Sequence, residues 1–207
     1  MTSHWDVDGE AVASGAEPLS VSHGDHVVLF YQDDDELAAR VSEFVLDAGY
    51  NGGAAIVMAT PAHRRRIADR LARAGLDVAA AQARGSYLAL DATETMRRFV
   101  ATGWPSPASF WQVMSPLIRP AAGVGKPLHV FGEMVSLLWQ AGLVNAAIDV
   151  EAMWNELGGQ YSFSLLCAYP AQAISDDHNQ DALTEVCRAH AAVVGTSPDS
   201  PGVDGQP

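Results

Sequence analysis

The chain has 207 residues, 48% of them hydrophobic, and a formal net charge of -13, which supplies one sizeable core and leaves too little chain for two domains. The charge is uneven: residues 1–25 carry five acids and no Lys or Arg, and residues 171–207 carry six acids against Arg188, leaving 14 acids and 11 bases in 26–170. A stretch so nearly balanced lacks the clustered cations that track phosphate, which excludes nucleic acid as a direct partner.

Residues 1–22 mix Ser, Gly, Asp and Glu without periodicity, and 195–207 are rich in Ser, Pro, Asp and Gly. Both are expected to be disordered tails around one domain over 23–194. Met1–Asp25 has neither a basic start nor an apolar h-region, and no later apolar run nears the roughly 20 residues of a membrane span, so a cytoplasmic protein without a membrane partner is expected. His26 opens the first strand, and Val27 to Tyr31 is the continuous apolar run of a strand covered on both faces. Where a nucleotide-binding α/β domain would place glycines and a lysine, Gln32-Asp33-Asp34-Asp35-Glu36 follows. Its four carboxylates repel phosphate from the helix N-terminus that would otherwise attract it. Asp34 or Asp35 is expected to cap that helix, whose Leu37, Val41, Phe44, Val45 and Ala48 follow the 3.6 period as far as Gly49.

Gly52-Gly53 turns the chain into a second strand, Ala54 to Ala59, and Thr60-Pro61 opens a helix as N-cap and first helical residue, closed by Gly75. Ser86 to Leu90 reads as a third strand. Thr93 is expected to cap a helix through about Ala101, and Trp104-Pro105-Ser106-Pro107 breaks into another from about Ala108 to Ile118. Pro127 to Phe131 is the fourth strand, followed by Gly132-Glu133-Met134 and a short helix through Trp139. A longer helix, about Asn145 to Leu157, carries Ala147, Val150, Trp154 and Leu157 on one stripe. Tyr161 to Ala168 is the fifth strand, and Asp181 to Val194 a closing helix. Strands separated by amphipathic helices predict an α/β fold of three layers, a mostly parallel sheet with helices on both faces.

Ligands of such sheets bind beyond the carboxyl ends of the strands, here at Tyr31-Gln32, Thr60, Asp91, Glu133-Met134 and Tyr169. Glu133 follows Gly132, which allows close backbone approach, so its carboxylate either enters the crevice as an acceptor or caps the next helix. The Tyr31 hydroxyl is a polar anchor on the same side or a core residue. Trp139 and Trp154 either wall a pocket near Glu133 or pack helices together. Glu151 sits at the edge of a buried stripe: leaning inward it needs a partner or a raised pKa, and facing outward it is a plain surface charge. His26 lies at the end of the sheet opposite the crevice and reads first as a structural histidine, second as a ligand contact. The segment Trp104 to Trp111 is either an aromatic flap over an apolar pocket or a packed connection. Arg66, Arg70 and Arg73 share a helix face, ordinarily a solvated one, with docking to an acidic partner as the other reading. Cys167 and Cys187 are too few for a disulfide framework and read as reduced thiols. His129 and His190 have no carboxylate or cysteine at metal-ligand spacing, and no metal, cofactor or catalytic residue is expected.

His26-x-x-x-Phe30-Tyr31, Phe131-Gly132-Glu133-Met134 with Trp139, Glu151-x-x-Trp154-Asn155, Leu165 to Pro170 and Cys187-x-x-His190 together resemble the MEDS domain, the methanogen/methylotroph DcmR sensory family. The similarity runs from about His26 to His190. It implies a prokaryotic sensory domain for small organic molecules, RecA/KaiC-like in fold and without the phosphate-binding loop. Such domains are often fused to a DNA-binding helix-turn-helix or a histidine kinase; this chain shows neither, so its output partner is expected in trans. The reading is a non-enzymatic sensor of a small, largely apolar ligand, anchored by Tyr31 and Glu133 and walled by Trp139, Trp154 and the Trp104–Trp111 segment. The alternatives are a degenerate ATPase-like enzyme with Glu133 as general base, for which a second partner residue is not evident, and a purely protein-docking module.

Overall fold

The computed structural model describes residues 19, 21–122, 125–174 and 179–195. The expectations for the stretches 1–18 and 196–207 lie outside the described residues. In chain order the elements are β1 (His26–Tyr31), α1 (Asp34–Tyr50), β2 (Ala54–Ala59), α2 (Pro61–Arg73), α3 (Val78–Ala83), β3 (Tyr87–Asp91), α4 (Ala92–Met96), β4 (Val100–Ala101), β5 (Trp104–Pro105), α5 (Pro107–Ile118), β6 (Leu128–Gly132), α6 (Met134–Gln140), α7 (Val144–Gly158), β7 (Ser164–Pro170), α8 (Ala171–Ile174), α9 (Gln180–Ala189) and β8 (Ala192–Val194).

Six strands form one sheet in the order β3-β2-β6-β7-β1-β8, with every adjacent pair parallel. Side chains alternate across it. Val28 and Phe30 of β1, with Leu165, Cys167 and Tyr169 of β7, face a core built with α5, α6, α7 and α9. Val27, Leu29 and Tyr31, with Leu166 and Ala168, face a second core under α1, α2 and α3. The result is a three-layer α/β domain. Leu19 and Val21 also pack against the second core. No helix is long and apolar enough to cross a membrane among the described residues.

Local chemistry accounts for the places where the elements depart from the sequence reading. Asp33, not Asp34 or Asp35, caps α1: its side chain accepts from the backbone N–H groups of Asp35 and Glu36. Asp91 rather than Thr93 caps α4, and that helix stops at Met96. A tight hairpin follows, its turn formed by Thr102 and Gly103, both at positive φ, so that Val100–Ala101 pairs antiparallel with Trp104–Pro105. The closing helix ends at Ala189, and Ala192–Val194 instead forms a sixth strand beside β1. The short helix α3, capped by Asp77, carries too few apolar positions to show a period. At Gly53 a Cβ would lie 2.0 Å from the Pro127 carbonyl oxygen, which explains the glycine where β2 enters against β6.

Candidate functional site

At the carboxyl ends of β1, β2 and β6, Glu133 is 2% exposed and stands at the start of α6 without capping it. Its carboxylate reaches the neighbouring helix instead. Oε2 accepts from the Thr60 backbone N–H at 2.7 Å, at the N-terminus of α2, and Oε1 lies 2.7 Å from Nδ1 of His63. Nε2 of His63 is 3.2 Å from Asp34 Oδ1. With a carboxylate on each ring nitrogen, the imidazole donates from both, and the hydrogen bond it donates to Glu133 raises its pKa against the opposing pull of burial. Tyr31, 5% exposed, is pushed up to about 12 by burial and then by the Glu133 charge. The glycine before Glu133 is not demanded by close approach, since a Cβ at Gly132 would meet Trp154 at an ordinary 3.8 Å.

The acidic stretch after β1 is consumed locally. Asp33 caps α1, Glu36 accepts from the Gln32 N–H at 2.8 Å, and Asp34 and Asp35 pair with Arg66 of α2 at 3.7 and 2.8 Å. Arg64 pairs with Asp91 at 3.1 Å. Of the three arginines expected to share an outward face, Arg66 is therefore tied to the domain itself.

A second polar cluster lies inside the other core. Alternation puts His26, Cys167 and Tyr169 on one face of the sheet, and the i, i+4 spacing of α7 puts Glu151 and Asn155 over them. Glu151 is 1% exposed. Oε1 accepts from the Tyr169 hydroxyl at 2.7 Å, and Oε2 accepts from the Cys167 thiol at 3.2 Å. Nε2 of His26 lies 3.2 Å from the same oxygen and 3.3 Å from the sulfur. Nε2 of His190, beyond the end of α9, is 3.5 Å from Glu151 Oε2, close enough for charge pairing yet making no hydrogen bond. The two imidazoles stack with centroids 3.9 Å apart. Burial alone would raise the Glu151 pKa, but His190 and then His26 hold it below the usual carboxylate range. Burial, followed by the Glu151 charge, pushes the Cys167 thiol and the Tyr169 hydroxyl well up.

A groove of about 550 Å³ opens on the same face, where the segments leaving β3, β6 and β7 meet. Trp104 and Leu143, respectively 56% and 38% exposed, line it with Ile148, Asn145, Asp181 and Glu185. The hairpin of β4 and β5 is what projects Trp104.

The family model for the MEthanogen/methylotroph, DcmR Sensory domain, MEDS, matches residues 25–191. The chain belongs to the MEDS family. MEDS is a sensory domain family. No curated protein sequence matches the chain.

Within this MEDS domain the eight candidate residues fall into four places. Tyr31 and Glu133 meet at the strand ends, but Tyr31 faces the second core while Trp139 and Trp154 face the first. Trp139 donates its ring N–H to the Ala173 carbonyl at 2.8 Å and packs edge-on against Tyr169. Trp154 is 1% exposed and lies edge-on to Phe110; its ring N–H has no hydrogen-bond partner among the described residues. Trp104 is in the groove, and Trp111, half-buried, packs against the first core. His26 and Glu151 belong to the buried cluster. Sequence reasoning missed His63 as the partner of Glu133 and set aside Cys167 and His190, because it weighed spacing along the chain. Their partners come from four separate elements. The available signal was parity in β7, which sends Cys167 and Tyr169 to one face, together with the inward-leaning Glu151.

Proposed function

We propose that this MEDS domain is a non-enzymatic receptor for a small, largely apolar organic molecule, held in the groove beneath Trp104, and that it signals to a separate protein in trans. The single observation that carries the reading is a groove of about 550 Å³ between the β4–β5 hairpin, the α6–α7 turn and the first turns of α7 and α9, walled by a large exposed aromatic ring. That size is within the range of small-molecule sites. Asp181 and Glu185 at its rim favour a neutral or cationic ligand over an anion. Tyr31 and Glu133 become positioning residues in this reading, because Glu133 spends both oxygens on Thr60 and His63.

The chain Glu133–His63–Asp34 favours a second reading, an enzyme that moves a proton, since it supplies the partner a general base requires. Against it, Glu133 is 2% exposed and both its oxygens are already hydrogen-bonded within the domain.

Thermal-shift screening of neutral, cationic and anionic organic molecules, with ATP and magnesium alongside, separates these readings, because a ligand of the folded state raises Tm by mass action. A neutral or cationic hit whose shift disappears in Trp104→Ala, while the Tm without ligand stays put, supports the groove. Stabilisation by ATP with magnesium, abolished by Glu133→Gln, would replace the sensor with an ATPase-like enzyme. Silence across the panel would leave a docking module.

A further inference from the structure

We propose that His26, Glu151, Cys167 and His190 bind one divalent zinc ion, through the two Nε2 atoms, Glu151 Oε2 and Cys167 Sγ. The four residues offer donor atoms that all lie within 4.8 Å of one another. Bonds of about 2.0–2.3 Å at the tetrahedral angle place donors about 3.3–3.6 Å apart. The separations here are 3.2 Å from His26 to Glu151, 3.3 Å from His26 to Cys167, 3.2 Å from Cys167 to Glu151 and 3.5 Å from His190 to Glu151.

The surrounding hydrogen bonds orient each donor inward. Asn155 donates its amide N–H to the Ala189 carbonyl at 3.1 Å, so its Oδ1 is the atom that faces Nδ1 of His26 at 2.8 Å. Nδ1 of His190 lies 2.6 Å from the Val186 carbonyl. Both Nδ1 atoms must therefore donate, which leaves both Nε2 lone pairs directed at the cluster whenever the rings are neutral. Glu151 is steadied by the Tyr169 hydroxyl on its other oxygen. Nε2 of His190, on a side chain with 0% exposure, has no hydrogen-bond partner among the described residues. In the neutral ring that lone pair faces the Glu151 carboxylate and is repelled by it, and a cation, either a proton on the ring or a metal ion between them, removes the conflict.

Charge and donor type select the ion. A thiolate and a carboxylate neutralise a divalent cation, and two imidazoles add no charge, so the filled site is neutral in a medium that penalises net charge. Mixed nitrogen, sulfur and oxygen donors suit zinc rather than the hard cations magnesium and calcium. The thiol proton of Cys167 leaves to solvent as the bond to sulfur forms. With four protein ligands the site is closed, and it would pin the end of α9 and the β8 strand to β1, β7 and α7.

The proposal does not depend on the organic ligand, and its test is the metal alone. Full-length chain stripped with a chelator is titrated with zinc, and with cobalt(II) as a coloured stand-in, in a Cys187→Ser background that leaves Cys167 as the sole thiol. One equivalent of zinc retained through desalting, a Tm rise of about 5 °C or more, and a thiolate-to-cobalt charge-transfer band are expected. Cys167→Ser should lose the band. Failure of the Cys187→Ser chain to retain zinc stoichiometrically, or cobalt binding without the thiolate band, would overturn the site and leave a Glu151–His190 ion pair in its place. Neither result bears on whether an organic molecule occupies the groove.

Discussion

Glu133 and His63 show how one carboxylate can organise a strand end. The 2.7 Å contacts to Thr60 N–H and His63 Nδ1 satisfy an N-terminal donor of α2 and neutralise a charge that is 2% exposed. Removing one side of such a buried pair leaves the other uncompensated, and Glu133→Ala is expected to cost about 3 kcal/mol in urea unfolding. The pH dependence has a definite sign. Because the folded-state pKa of His63 is raised above its unfolded value of about 6.5, the stability it contributes is whole below that value and is lost as pH rises through the folded one. His129 has the opposite sign: burial lowers its pKa, so it loses stability as pH falls below about 6.5. Subtracting the unfolding free energy of His63→Gln from that of the wild type cancels the His129 contribution. The difference should shrink as pH rises above about 6.5, and a difference that stays constant as pH rises would show that the ring carries no extra proton in the fold.

At the scale of elements, the helix starts carry much of the local specification. Asp33, Thr60, Asp77, Asp91 and Ser106 each accept a backbone N–H at the start of their helix. In the acidic stretch after β1 four carboxylates divide the labour, and the division is measurable. Asp33→Ala removes the α1 cap and is expected to cost about 1 kcal/mol. Asp35→Ala removes only an exposed pair with Arg66, for which less than about 0.5 kcal/mol is expected. Equal losses in chemical denaturation would return the cap to the uncertainty between Asp34 and Asp35 that the sequence carries. The same local logic turns α4 into a single short helix, because Thr102 and Gly103 at positive φ reverse the chain and lift Trp104 away from the core.

For the whole molecule, α7 and α9 are the elements shared by the groove and the buried cluster. Asn145 and Ile148 of α7 line the groove, while Glu151 and Asn155 further along the same helix hold the two histidines. Asp181 and Glu185 of α9 line it too, and Val186 and Ala189 supply the carbonyls that orient the rings. A molecule seated in the groove thus touches both helices that frame the cluster, and it can switch an output only through unequal affinity for two arrangements of them. With a thermal-shift hit at saturation, amide exchange in 180–189 should slow, read by mass spectrometry. Unchanged exchange there would make the groove and the cluster independent.

The alternation of apolar runs with 3.6-period stripes was enough to state an α/β sheet with helices on both faces, the strands β1, β2, β3, β6 and β7, most helix starts and the absence of a phosphate loop, because each depends on neighbours within one turn or one strand. The family resemblance was legible in the same way, as short motifs in order. The sixth strand was not, since Ala192–Val194 has no period of its own and becomes a strand only against β1. Nor were the four groupings of candidate residues. Tyr31 was separated from Trp139 and Trp154 by the pleat, which sends them to opposite faces of the sheet, and His26, Glu151, Cys167 and His190 were brought together by parallel pairing and by the docking of α7 and α9. Those are distances across the fold, and spacing along a chain carries no information about them until the strands have been put in order.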